Sequence, residues 1–154
     1  MRRATQVAPP GGWPQETAAG TVTLAYDDRH RRRLRLTTDE GDPILLDLDR
    51  ATLLRDGDGL HLDDGSWIRV AAAPEDVVDV HGDTPRATAR LAWHLGNRHL
   101  PVQILDDGGI RFRCDHVIEE MVLGLGGSLV RKRVPFAPEG GAYEGEAHRR
   151  HSHD

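Results

Sequence analysis

Apolar and polar residues alternate with period two through much of the first half of the chain. Val22, Leu24 and Tyr26 alternate with Thr23 and Ala25, and Leu34 and Leu36 alternate with Arg33 and Arg35. That period puts one set of side chains on a buried sheet face and the other in water. Ile44 to Leu48, Leu60-His61-Leu62 and Trp67 to Val70 supply three more short runs of the same kind. Between them lie Asp39-Glu40-Gly41-Asp42, Asp56-Gly57-Asp58-Gly59 and Asp63-Asp64-Gly65, residue types that tolerate the backbone angles of tight hairpins. Residues 21–73 are therefore expected to be β throughout, as a small antiparallel barrel or sandwich. A loop rich in Pro, Gly and Ala precedes them over residues 8–20, and Arg3 to Val7 can add an edge strand.

The pattern changes after Ala71-Ala72-Ala73-Pro74. Asp76 to Val80 reads as a strand. Thr84-Pro85 opens a helix, with Thr as N-cap and Pro at the first helical position. Ala87, Leu91 and Leu95 line one face of that helix, and Gly96-Asn97 is its expected stop. Val102 to Leu105 and the alternating Ile110-Arg111-Phe112-Arg113 flank a turn at Asp106-Asp107-Gly108-Gly109. Asp115 then caps a second helix with an apolar stripe at Ile118, Met121, Val122 and Leu125, which leaves His116, Glu119 and Glu120 on another face. Gly126-Gly127 ends it, and Leu129 to Val134 forms the last strand. The order β-α-β-β-α-β is the ferredoxin-like arrangement. The expected organisation is an N-terminal β domain over residues 1–73, an α+β ferredoxin-like domain over 74–136, and a disordered His-containing tail over 137–154.

Composition narrows the functional classes. The chain has 154 residues, 38% of them apolar and 29% charged, with a net charge of −5, so binding of nucleic acid by bulk positive charge is disfavoured. A single cysteine, Cys114, excludes an intramolecular disulfide framework and a Cys-rich zinc site. No apolar run is long enough to span a bilayer, and the first residues lack a signal-peptide pattern, which reads as a soluble cytoplasmic protein.

Histidine is the outlier, with nine in the chain and three of them in its last seven residues. His148, His151 and His153 are interleaved with Arg, Ser and Asp, unlike a purification tag, and imidazoles on a mobile segment can converge on one divalent cation. His116 stands at the start of the second helix beside Asp115. One imidazole holds a metal weakly, but two copies across a two-fold axis begin a site. His94 and His99 flank the end of the first helix, where a shared metal competes with simple capping or packing. His30, His61 and His81 read as surface residues. The Arg run at 29–35, with His30-Arg31-Arg32-Arg33-Leu34-Arg35 after Arg29, fits either an acidic-partner surface or, better, a solvated strand face. Cys114-Asp115-His116 has the residue types of a nucleophilic triad, but adjacent residues at a strand-to-helix junction diverge.

The stretches His94-Leu95-Gly96-Asn97-Arg98-His99-Leu100-Pro101, Asp115-His116-Val117-Ile118-Glu119-Glu120-Met121 and Pro135-Phe136-Ala137-Pro138-Glu139-Gly140-Gly141-Ala142-Tyr143 closely resemble the UreE family of urease accessory proteins. The resemblance covers essentially the whole chain. It implies a nickel metallochaperone, not an enzyme, with a peptide-binding, chaperone-like N-terminal β domain and a ferredoxin-like metal-binding domain through which it forms homodimers. It implies Ni²⁺ held by His116 of each subunit and by the tail residues His148, His151 and His153, with Zn²⁺ or Cu²⁺ able to take the same ligands in vitro. The implied partners are the urease accessory GTPase and the apo-urease maturation complex, with no nucleic acid and no membrane. Some relatives carry extra histidines on the last strand of the second domain, where this chain has Arg131, Lys132 and Arg133.

Two other classes compete. A small metal-dependent hydrolase using His94, His99 or His116 requires carboxylate ligands and a general base in one pocket, and no such spacing is present. A ferredoxin-like nucleic-acid module requires stacking aromatics on its sheet, and the C-terminal strands offer only Phe112.

Overall fold

The computed structural model describes residues 1–140. Within them the chain forms two compact units, residues 1–75 joined by Val134–Ala137, and the segment from Asp76 to Arg133 joined by residues 138–140. No helix among the described residues is long and apolar enough to cross a membrane.

The first unit holds β1 (Arg2–Ala8), β2 (Gly20–Leu24), a single helical turn α1 (Tyr26–Arg29), β3 (His30–Thr37), β4 (Pro43–Leu53), β5 (Gly59–Leu62) and β6 (Trp67–Ala72). They make one six-stranded sheet in the order β2-β6-β5-β1-β4-β3. The turn after β3 donates from the Asp39 amide to the Thr21 carbonyl of β2 at 2.7 Å. The two ends of the strand order therefore meet, and the sheet curls. Ala4, Val22, Ile44, Leu46, Leu60, Ile68 and Val70 fill its concave core.

Three expectations are corrected here. First, β1 is an interior strand: it pairs parallel with β4 (Arg2 opposite Ile44, Ala4 opposite Leu46) and antiparallel with β5. Its inward residues are few and small, Ala4 above all, so its sequence carries little hydrophobic signal. Second, the sheet is mixed, because β2 also runs parallel to β6. The long stretches of chain between β1 and β4, and between β2 and β6, allow the crossovers that parallel pairs need. Third, Tyr26 to Arg29 leaves the β pattern. Glu75 accepts the Tyr26 amide at 2.9 Å, and the Arg29 side chain turns inward.

Arg29 is 1% exposed. Its guanidinium donates to the carbonyls of Leu24 (3.1 Å), Leu54 (3.3 Å) and Phe136, and lies 3.7 Å from the Glu75 carboxylate. Burial lowers the pKa of this group from its ordinary value, and the Glu75 charge pushes it back up. Phe136 is itself fully buried and meets Tyr26 edge-on at 5.7 Å, which is why residues 134–137 belong with the first unit.

The second unit is β7 (Pro74–His81), α2 (Pro85–Asn97), β8 (Gln103–Ile104), β9 (Ile110–Arg113), α3 (His116–Gly124) and β10 (Ser128–Pro135), with strand order β10-β7-β9-β8. Leu91 and Leu95 of α2 and Ile118 and Val122 of α3 pack with Val78, Val80, Ile110 and Phe112. Thr84 Oγ1 accepts the Ala87 amide at 3.1 Å, as its capping role requires. α2 ends at Asn97, within the expected stop at Gly96-Asn97; Gly96 itself stays helical, and the left-handed residue after the helix is His99 (φ 56°). The α3 stripe is narrower than expected, because Leu125 is exposed while Glu119 is buried beneath Arg131.

Four cations on β9 and β10 meet carboxylates. Asp79 takes Arg111 through Nε and Nη2 (2.7 and 2.9 Å) and Lys132 Nζ at 3.1 Å. Arg131 reaches Glu119 at 2.8 Å and Arg133 reaches Asp76 at 3.1 Å.

Two outcomes follow from these buried charges. Arg29→Met leaves three enclosed carbonyls and Glu75 without their cation, and is expected to cost about 3 kcal/mol or more in urea unfolding; a loss below about 1 kcal/mol contradicts the role given to Arg29. Hydrogen bonds from Arg111 hold Asp79 below the usual carboxylate range. A depressed carboxylate contributes stability above its unfolded value of about 3.9 and loses it as pH falls through the folded value. Asp79→Asn is expected to be less stable at pH 7 and to lose less stability on acidification from about pH 4 to 2 than the unmodified protein. Parallel melting curves across that range contradict this.

Candidate metal centre

The site begins with a helix start. Asp115 sits in extended backbone (φ −149°, ψ 112°), and its Oδ1 accepts the amides of Val117 (3.0 Å) and Ile118 (3.2 Å). Two of the first free N–H groups of α3 are thereby satisfied. This fixes His116 as the first helical residue, with its side chain 81% exposed. One turn later Glu120 stands on the same face, and its Oε1 is 3.2 Å from His116 Nε2. Residues four apart on a helix are neighbours, so the pair presents one nitrogen and one oxygen donor outward from a rigid backbone. Val117 and Leu123, both exposed, lie beside it on the same helix.

The spacing His116 to Glu120 is legible in the sequence as i, i+4. It is Glu120, and not Glu119, that shares the histidine's surroundings. Glu119 is committed to Arg131.

A shallow cleft of about 410 Å³ lies against the start of this helix, lined by Asp76, Leu100, Pro101, Arg113, Cys114 and Asp115. Cys114 is exposed, and desolvation together with the Glu119 charge pushes its thiol up, away from the reactive thiolate. Asp115 is occupied by the helix amides and His116 by Glu120, so these three residues do not form a triad.

The other histidines are dispersed. His94 is half-buried and edge-on to Trp93 at 5.0 Å, while His99 is exposed in the turn after α2. His61 stacks on Trp67 at 4.3 Å, and His81 Nε2 is 3.1 Å from Asp107 Oδ2. Among the described residues no three His, Cys, Asp or Glu side chains converge to hold a metal ion. His148, His151 and His153 lie outside the described residues. At the last strand, Arg131, Lys132 and Arg133 are engaged by Glu119, Asp79 and Asp76, so this chain fills those positions with ion pairs.

Comparisons with known proteins bear on both units. The family model for the UreE urease accessory protein N-terminal domain matches residues 3–73, and that for the C-terminal domain matches residues 75–154. A urease accessory protein UreE of Rhodopseudomonas palustris (strain HaA2) is 54% identical over 152 residues, covering 96% of this chain and 70% of the relative. Another from strain BisB18 is 51% identical, covering 99% of this chain and 72% of the relative. The UreE of Beijerinckia indica is 46% identical, covering 99% and 87%. Both units and nearly every residue between them are accounted for by one family, and the chain belongs to the UreE urease accessory proteins.

Proposed function

We propose that this protein is a cytoplasmic nickel carrier that supplies Ni²⁺ to urease during its assembly, working as a homodimer with the accessory GTPase and the apo-urease complex. The observation that carries the reading is the exposed His116–Glu120 pair at a capped helix start. One protomer offers two donors from a preorganised helix. Two protomers related by a two-fold axis offer four, a set of imidazole and carboxylate ligands compatible with borderline divalent cations. The exposed apolar side chains of Val117 and Leu123 beside the pair supply surface for a second copy to cover. The β-α-β-β-α-β unit, ferredoxin-like in its strand order, then serves as the dimerising and metal-binding domain.

A carrier must bind its cargo and let it go. Ligands drawn from two chains and a tail can be lost one at a time, whereas a closed four-ligand cage from one chain holds its metal as part of the fold. His148, His151 and His153 add donors to the site but do not build the domain. The hydrolase alternative finds no support: among the described residues no three His, Cys, Asp or Glu side chains converge to hold a metal ion beside His94, His99 or His116.

Calorimetric titration with Ni²⁺ is the direct test. His116→Ala is expected to abolish the tightest binding event without changing the melting temperature, because the side chain is exposed. Glu120→Gln is expected to weaken that event by about tenfold or more, and truncation after Tyr143 to lower stoichiometry with a smaller effect on it. Sedimentation should give a dimer in nickel. A strictly monomeric species, or a truncation more damaging than His116→Ala, contradicts the assignment. Acid is expected to strip the metal. Imidazole coordinates only when neutral, and its ordinary pKa is about 6.5, so affinity should fall steeply below about pH 6.5. Unchanged affinity at pH 5 would mean that carboxylates alone hold the ion.

A further inference from the structure

We propose that the exposed face of α2 built by Arg86, Arg90 and Trp93 is a docking surface for an acidic face of a partner protein. The three residues are spaced i, i+4, i+7, which places them within a wedge of about 60° at 3.6 residues per turn. The buried residues Leu91 and Leu95 lie away from that wedge, so the face is directed to solvent. Trp93 is 65% exposed, the most exposed large apolar side chain among the described residues. An indole left in water loses the burial that its size makes favourable, and Trp with Arg is the pair of residue types most enriched at the energetic centres of protein interfaces.

Charge gives the partner its sign. The helix from Pro85 to Asn97 contains no acidic residue. Elsewhere in the same unit four cations are matched: Arg111 and Lys132 with Asp79, Arg131 with Glu119, Arg133 with Asp76. Among the described residues Arg86 and Arg90 have no such carboxylate. In a chain of net charge −5, an unmatched cationic helix is a local choice and not the consequence of a basic composition. A second copy laid face to face here sets arginine against arginine. A nucleic acid meets one stacking ring and an acidic protein, where such binding relies on bulk positive charge and several platforms. An acidic protein surface satisfies both the guanidinium groups and the indole.

For the identity of the partner the inference rests on the nickel-delivery reading; for the surface itself it does not. The experiment therefore has two arms. The purified apo-urease maturation complex is titrated against the unmodified protein, Arg86→Glu/Arg90→Glu, Trp93→Ala and, as a control on a different surface, Arg35→Glu. The expected result is a loss of affinity of about thirty-fold or more for the double variant and about tenfold for Trp93→Ala. Arg35→Glu should change it less than threefold, binding should weaken steeply with salt, and nickel stoichiometry should stay the same in all variants. Equal affinity of all four proteins for the complex overturns the proposal and leaves the nickel-delivery reading standing. If the unmodified protein binds nickel but not the complex, the delivery reading falls. The second arm then decides the surface: NMR titration with an Asp/Glu-rich dodecapeptide and with a dodecamer of single-stranded DNA. Salt-sensitive shifts at α2 amides and the Trp93 indole, caused by the peptide and lost in the double variant, support the surface. No shift there, tighter binding of the oligonucleotide, or self-association that vanishes in the double variant overturns it.

Discussion

One buried guanidinium organises the first unit. Arg29 gathers the carbonyls ending β2 and following β4, the carbonyl of Phe136, and the carboxylate of Glu75. An uncompensated buried cation is costly, so the unit is stable only when all of these segments are in place at once. Two of them mark where the chain leaves the first unit and where it returns. Glu75 is the second residue of β7, and Phe136 directly follows β10. The aromatic contact of Phe136 with Tyr26 makes the return hydrophobic as well as electrostatic. The residues immediately beyond are drawn the other way, since the Glu139 amide bonds the Val102 carbonyl and its carboxylate accepts the Ile104 amide. The stretch leading into the histidine-containing tail is thus held at both Phe136 and Glu139.

The second unit handles charge in two opposite ways. On its sheet each cation of β9 and β10 discussed above has a carboxylate within hydrogen-bonding reach, and Asp79 serves two. Such pairing fixes register and leaves little charge to attract a ligand. On its helices the polar groups are left open: the His116–Glu120 pair on α3 and the arginines with Trp93 on α2. The same residue types therefore stabilise one surface and remain available on another. What separates the two is whether a neighbouring element supplies the counter-charge, as β7 does with Asp76 and Asp79 and α3 with Glu119.

How much of this can be read from sequence depends on how local its cause is. Helix starts are local, and Thr84 and Asp115 cap where the spacing of side-chain oxygen and apolar stripe places them. The acidic-glycine turns between strands are local too. β1 is not legible in the same way, because its interior place is decided by two strands that arrive far later in the chain, at Ile44 to Leu46 and at Gly59 to Leu62. Arg29 reads as the first of a solvated arginine run, and only the distant carbonyls of Leu54 and Phe136 make it a core residue. Glu119 and Glu120 are indistinguishable in sequence. The long-range position of Arg131 buries one and leaves the other to His116. The histidine itself is legible as a helix-start residue, and helical spacing narrows its carboxylate partner to Glu119 or Glu120.

The placement of that pair bears on how tightly a metal can be held. A cap bonded twice to the backbone fixes the helix start on which His116 stands, so the backbone there has little ordering entropy left to lose, while the exposed ring keeps its rotamer freedom. Glu120 is close enough to His116 to share an ion, and its exposure leaves water free to compete. Two donors in solvent bind a divalent cation weakly, and affinity rises only when further donors are brought in. In the proposed carrier, completion of the site would be tied to association, either with a second copy or with donors from beyond the described residues. Coupling of this kind lets assembly govern capture and disassembly govern release, with no change needed inside either core.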